Sequence, residues 1–351
     1  MKDHSGAEWV DPEFGWVPRH VPEFPDRILL DLATACNLRC PMCEVWGSND
    51  VDRVEPVKGV MDLEAMLRAL DEVASAGPLL QPSMWGEPLI APGIRERLLA
   101  MKKRGLAVAM NTNGLALSTA MAEFLVETEV DAVMVSVDAA SPETLKKVRG
   151  IGDLERVEAA VVRLLQARGE RDLPRIGVSF TIQEANRHEL TAFLERWVGV
   201  VDVVRTGLVF ENGRFPGMPR LPERTPCPAL YRTLPIHNDG TASICCLDGF
   251  RAVPVGNVFE KGVREVWHGE EFAKVRYLHE TGQWEKVPFC RDCNGWAQYA
   301  FADEVADGIL IRRSPEYTYY NRIDRLENWQ GSVQGGHAAP SVAVQEERSS
   351  A

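Results

Sequence analysis

The sequence predicts an α/β fold, and two patterns predict it. Between Arg27 and Phe210, short apolar runs of strand length alternate six times with segments whose apolar residues recur at helical spacing. Six such β/α units imply a parallel sheet with helices outside. Pro and Gly then crowd residues 211–226, which marks a connection to a second, smaller unit.

Residues 1–26 are rich in Trp, Phe and Pro without helical or strand period and read as an irregular arm laid across the next domain. Arg27 to Thr34 is a short apolar strand. Asp62 then caps a helix whose Leu63, Met66, Leu67 and Leu70 share one face. Further strands are expected near 79–84, 106–110, 131–138, 176–183 and 201–210, with helices near 93–104, 118–127, 142–149, 154–168 and 187–198. Such a sheet collects function at its strand C-termini. After the 211–226 linker, residues 234–237 and 241–246 read as a β-hairpin turned by Asp239-Gly240, within a unit running over 227–296. Residues 297–330 have aromatic and charged helical character and are expected to pack back on the first domain. The tail 331–351 is small, polar and Gly/Ser-rich, the composition of a disordered segment.

Composition narrows the function. A net charge of -12 gives no basic footprint for a phosphate backbone, which disfavours nucleic acid as a partner. No run of eighteen apolar residues offers a membrane span. The N-terminus lacks a basic start followed by an apolar core, so a cytoplasmic protein is expected. In that reducing compartment the eight cysteines read as metal ligands rather than disulfides.

Three of them fall in Cys36-Asn37-Leu38-Arg39-Cys40-Pro41-Met42-Cys43, spaced by three residues and then by two. A 4Fe-4S cube normally takes four thiolates, so three leave one iron open for substrate or cofactor. Zinc is the alternative, but no His follows closely enough to complete a tetrahedron. The motif resembles the CxxxCxxC signature of the radical S-adenosylmethionine (SAM) superfamily, with Met42 where many members carry an aromatic side chain. The resemblance implies a partial (β/α)6 barrel over 27–210 and a 4Fe-4S cluster on Cys36, Cys40 and Cys43. It also implies that the SAM amino and carboxylate groups bind the open iron. An electron from an external donor such as a flavodoxin or ferredoxin then releases a 5'-deoxyadenosyl radical, which abstracts hydrogen from carbon.

Other stretches extend the resemblance. Met84-Trp85-Gly86-Glu87-Pro88 resembles the family's GGEP loop, whose backbone receives the SAM ammonium, with Trp85 in place of the first Gly. Asn111 and Ser136 lie in stretches similar to those near the SAM ribose and methionine. Arg149 matches an arginine that in related enzymes pairs with the SAM carboxylate, a task suited to a planar guanidinium. Taken alone it reads as a surface arginine at a helix end. Asn186 and Glu189 also fit the family, or simply begin a helix.

The remaining cysteines are Cys227, Cys245, Cys246, Cys290 and Cys293. Their arrangement resembles the twitch form of the SPASM accessory domain, which implies a second, fully ligated 4Fe-4S cluster on Cys227, Cys245, Cys290 and Cys293. A zinc site on the same four is the alternative. Cys246 is left over. If it continues the strand it points to the opposite face from Cys245, and it is either a buried apolar thiol or a hydrogen-atom donor.

A closed auxiliary cluster suits oxidation of a carbinol carbon to a ketone, similar to aminoglycoside-pathway radical SAM dehydrogenases acting on small sugars or aminocyclitols. Epimerisation with Cys246 as donor and peptide maturation are the alternatives. The 35 residues ahead of the motif are short for a leader-binding domain, which favours a small-molecule substrate. Arg205, Glu44 and Trp46 are the candidate substrate contacts.

Overall fold

The computed structural model describes residues 21–47, 51–218, 223–299 and 301–326. The expected irregular arm lies largely, and the expected disordered tail wholly, outside the described residues.

The first domain alternates as the pattern predicts. It runs β1 (Arg27–Leu30), α1 (Val51–Val54), α2 (Leu63–Val73), β2 (Leu79–Gln81), α3 (Ile94–Lys103), β3 (Ala109–Thr112) and α4 (Thr119–Glu127). It continues with β4 (Ala132–Ser136), α5 (Pro142–Arg149), α6 (Leu154–Arg168), β5 (Arg175–Ile182), α7 (Leu190–Trp197) and β6 (Val203–Leu208). Local chemistry sets the boundaries. Asp62, Ser118, Ser141 and Asp153 each cap a helix by accepting a backbone N–H, and Gly150 ends α5 at φ 78°. On α6, Leu154, Val157, Val161 and Leu164 recur every three or four residues and are buried against the sheet.

The strands pair in parallel in chain order, with an isolated Leu80–Val108 bridge joining β2 to β3. The barrel is partial. Strand β1 is bordered on its other side by β7 (Thr233–Ile236), in parallel, and β6 by β12 (Tyr317–Arg322), antiparallel. The β1 and β6 rims of the open sheet are thereby each covered by a later strand and are not exposed edges.

The unit beyond the linker is not set apart from the barrel. Strands β7, β8 (Thr241–Ser243) and β9 (Pro254–Asn257) extend the sheet that starts at β2 and β1. Helices α8 (Val258–Lys261), α9 (Val263–Trp267) and α10 (Glu270–Glu280) follow. Trp267 and Phe272 belong to the same hydrophobic cluster as the barrel residues Ile28 and Leu164. Glu72 of α2 accepts the Val263 and Arg264 N–H groups at the start of α9, at 2.7 and 2.9 Å.

The described residues of the 297–330 segment correct the sequence reading. In place of helix, they form β10 (Ala302–Ala306), β11 (Ile309–Arg313) and β12, an antiparallel set that joins the barrel sheet at β6. Asp307-Gly308 is a two-residue hairpin turn, with φ of 49° and 74° and Ala306 paired to Ile309. Ile309-Leu310-Ile311 and Tyr317-Thr318-Tyr319-Tyr320 have strand composition, and that outweighs the charges between them.

Candidate functional site

The site grows from the C-terminal end of β1. Asp31, immediately after it, is buried and accepts from the Thr34 hydroxyl and from backbone N–H groups of Trp85 and Gly86. The segment leading to the cysteines is thus pinned to the loop after β2. A Cβ on Gly86 would stand 1.8 Å from the Ala33 carbonyl oxygen, so only glycine fits this approach. Glu87 N donates to Ala35 O at 2.8 Å.

The Glu87 side chain braces the next strand. Its carboxylate accepts from Thr112 Oγ1 at 2.7 Å, Asn113 N at 2.8 Å and Leu89 N at 3.1 Å, while burial pushes its pKa up. Asn113, held this way, donates to Asn37 Oδ1 at 2.7 Å and stands 3.9 Å from Cys36 Sγ. One buried acid therefore ties three loops together.

Within the cysteine loop, Leu38 N points at Cys36 Sγ at 3.4 Å and Trp46 N at Cys43 Sγ at 3.3 Å. Arg149 Nη1 lies 3.8 Å from Cys40 Sγ. The Arg149 side chain is only 13% exposed, contrary to its reading, taken alone, as a surface residue. Its guanidinium is engaged by the fully buried Asp138 through Nε at 2.5 Å and also through Nη2. Asp138, two residues beyond β4 at φ 63°, also accepts Thr181 N at 2.6 Å. The expected partner of Arg149 was a SAM carboxylate; in this structure Asp138 holds the guanidinium, and one nitrogen reaches the cysteine loop.

Cys36, Cys40 and Cys43 open on a cavity of 520 Å³, and Cys227, Cys245, Cys246 and Cys293 open on the same cavity. Gly86, Glu87, Asn111, Ser136, Arg149 and Arg205 also line it. Pro88 does not: it is buried at the start of a short 3-10 turn and shapes the loop from behind. Asn186 and Glu189 are braces. Asn186 Nδ2 donates to the carbonyls of Asp138 and Thr181, both at 2.9 Å, and Glu189 accepts from Ala140 N and Thr144 Oγ1 at the start of α5.

Cys246 corrects the sequence reading. Strand β8 ends at Ser243, so Cys245 and Cys246 lie in a turn where strand alternation no longer applies. The two thiols are neighbours in the chain and both line the cavity. Cys290 is buried, and Gly295 N points at Cys293 Sγ at 3.3 Å.

The donor set fits iron–sulfur clusters. Burial pushes the Cys36 thiol up to about 11 and Cys290 to about 12, and raises Cys43 and Cys227. Thiolates so placed need positive charge beside them, which coordinated iron supplies. Among the described residues no three His, Cys, Asp or Glu side chains close on a single-ion site. The thiols other than Cys290 line one cavity, and a set made only of Cys donors, three of them within one loop, is the donor chemistry of a cube whose irons each take one thiolate.

Sequence reasoning missed Asn113, Asp138 and Arg27. Arg27 lines the cavity from β1, and its signal was a lone charge opening an apolar strand. Asp138 gave no signal of its own, since Arg149 is its counterpart only in three dimensions.

A partial α/β barrel that presents three thiols of one loop, beneath a second cysteine set on the same cavity, defines a cluster-dependent SAM enzyme. Comparison agrees: residues 31–195 match the radical SAM superfamily, and residues 227–294 match the SPASM iron-sulfur cluster-binding domain. The chain carries a radical SAM domain and a SPASM domain, an architecture that implies a SAM-binding 4Fe-4S cluster and auxiliary iron-sulfur binding. It is 25% identical over 326 residues to the tungsten-containing aldehyde ferredoxin oxidoreductase cofactor-modifying protein of Pyrococcus furiosus, covering 76% of this chain and 86% of that one. It is 31% identical over 172 residues to the AdoMet-dependent heme synthase of Methanosarcina barkeri, covering 49% of this chain and only 46% of the relative. The crystal structure of BtrN with AdoMet and 2-DOIA matches with a TM-score of 0.53 at 16% identity, over 77% of this chain and 92% of that one, a likeness of fold. Among the described residues no helix is long and apolar enough to cross a membrane.

Proposed function

We propose that this chain is a radical SAM oxidoreductase that converts a carbinol carbon of a small polar metabolite, a sugar or aminocyclitol on the way to a natural product, into a ketone. The observation that supports this reading is the single cavity with the CxxxCxxC thiols on one wall and the SPASM-region thiols on another. When bound, the clusters and SAM supply a hydrogen-abstracting radical and a one-electron sink, with a flavodoxin- or ferredoxin-like protein as external donor.

The chain's own residues do the rest. Oxidation of a carbinol removes a hydrogen atom, a proton and an electron, and the proton needs an acceptor. Among the described residues Glu44 and Glu87 are the carboxylates on the cavity wall. Glu87 is engaged by three donors. Glu44 is therefore assigned to take the hydroxyl proton on its carboxylate. Trp46 and Trp85 form an aromatic wall beside it, linked by Trp46 Nε1 donating to Trp85 O at 2.9 Å, and that wall excludes water.

Anaerobic reconstitution should give about eight irons per chain, 5'-deoxyadenosine, and deuterium carried from the substrate carbinol into it. Colourless, zinc-loaded protein inert toward SAM would refute the assignment. Epimerisation is the second reading, because the Cys246 thiol faces the cavity and stands outside the four-cysteine set. Cys246→Ala separates the two: dehydrogenation persists and epimerisation stops. Turnover of peptides from neighbouring reading frames, with no small alcohol consumed, would move the assignment to peptide maturation.

A further inference from the structure

Beneath the 520 Å³ cavity, inside the barrel, lies a second of 190 Å³. The two share Arg27, Gln81, Asn111, Arg205, Phe301 and Tyr319, so they are continuous. Four arginines and no carboxylate line the inner one among the described residues. Two of the four are already engaged: Arg175 donates to Asn321 Oδ1 at 2.7 Å, and Arg312 forms a two-nitrogen pair with Asp303 at 2.7 Å.

Arg27 and Arg205 are different. They sit on the first and sixth strands, at the junction of the two spaces, and neither side chain has a hydrogen bond or ion pair among the described residues. Arg27 Nε is buried without a partner. Arg205 lies over the Tyr317 ring, 5.7 Å from its centroid. Glu316 is the acid on which Arg205 bears, and its carboxyl makes no hydrogen bond to the guanidinium. The charge of Arg27 bears on the Cys246 thiol, but the N–H donors of both guanidiniums are left without an acceptor in a partly dry space, and such donors call for an anion.

We propose that Arg27 and Arg205 bind a carboxylate or phosphate of the substrate, which makes the substrate an acidic, hydroxylated small molecule. The inference rests on the proposed dehydrogenase reading for the site but concerns a different property. The inner cavity takes the anionic group, and the carbinol is left facing the cysteine loop.

Calorimetric titration of the anaerobic holoprotein with glucuronate, glucose 6-phosphate, inorganic phosphate, glucose and glucosamine tests it. The anions should bind about tenfold or more tightly than glucose, since charge-assisted hydrogen bonds are the strong ones. Arg205→Gln and Arg27→Gln should each cost about tenfold, Arg205→Lys should cost less, and the exposed Arg264→Gln nothing. Preference for glucuronate or for the phosphates names the group and supports the proposal either way. Equal or tighter binding of glucose or glucosamine, no binding of any anion, or unchanged anion affinity in folded Gln variants overturns it. Reductant-driven SAM cleavage without substrate is measured alongside. Glucuronate binding without ketone formation from any alcohol defeats the dehydrogenase reading and leaves this one standing. Intact ketone formation with no anion preference does the reverse.

Discussion

Gly86 leaves no room for a side chain, because the atom that a Cβ would strike is backbone: the Ala33 carbonyl oxygen, itself fixed at the root of the cysteine loop. Gly86→Ala should therefore destabilise the fold by about 2–3 kcal/mol and lower iron incorporation, read by thermal unfolding and iron content. Glu87→Gln keeps the volume but replaces one carboxylate oxygen with a donor that faces other donors. A cost of about 1–3 kcal/mol is expected, with the Asn113–Asn37 contact loosened. Glu316 sets a pH dependence. Burial raises its carboxyl from the ordinary 4.5 to about 8, so between those values the unfolded chain releases a proton that the native state keeps. Stability should fall as pH rises across that window, and Glu316→Gln should flatten the fall in urea midpoints measured from pH 5 to 8. The cysteines were legible because ligand chemistry is written in local spacing. The partners of Glu87 and Arg149 were not, since Thr112 and Asp138 reach them only after strands from separate units are laid side by side.

At the scale of elements, helix α6 was readable to the residue, because its cap, its apolar period and its terminal glycine agree. Strands β10 to β12 were misread as helix because charge and aromatics were weighed ahead of the Asp307-Gly308 turn. That hairpin matters to the site. Strand β12 pairs with β6 and brings Tyr317 and Tyr319 to the cavity beside Arg205. Gly207 of β6 permits the approach, since a Cβ there would stand 2.6 Å from the Tyr317 ring. Gly207→Val should push β12 off its partner. The expected signature is faster hydrogen exchange at the amides of Tyr317–Arg322, with α6 protection retained. Unchanged protection of β12 would mean that the ring moves aside without cost to the pairing.

At the scale of the whole molecule, the sequence reading separated a barrel from a smaller cysteine unit, while the structure runs one sheet and one hydrophobic cluster through both. Spacing and composition mark the linker but carry no trace of β7 lying beside β1, a pairing between residues about two hundred positions apart. That pairing has a consequence for stability. Cys290→Ser with Cys293→Ser should lower iron from about eight to about four per chain, leave SAM cleavage in place, and stop ketone formation. If the sheet couples the two parts, loss of the second cluster must also weaken the barrel, because β7, itself backed by β8, holds the edge of β1 and α9 is capped by Glu72 from α2. Calorimetry of the double variant should then show one unfolding transition, shifted down, with calorimetric and van't Hoff enthalpies equal. Two transitions, the upper unmoved from the wild type, would show that the barrel stands without its neighbour and that the shared sheet transmits no stability.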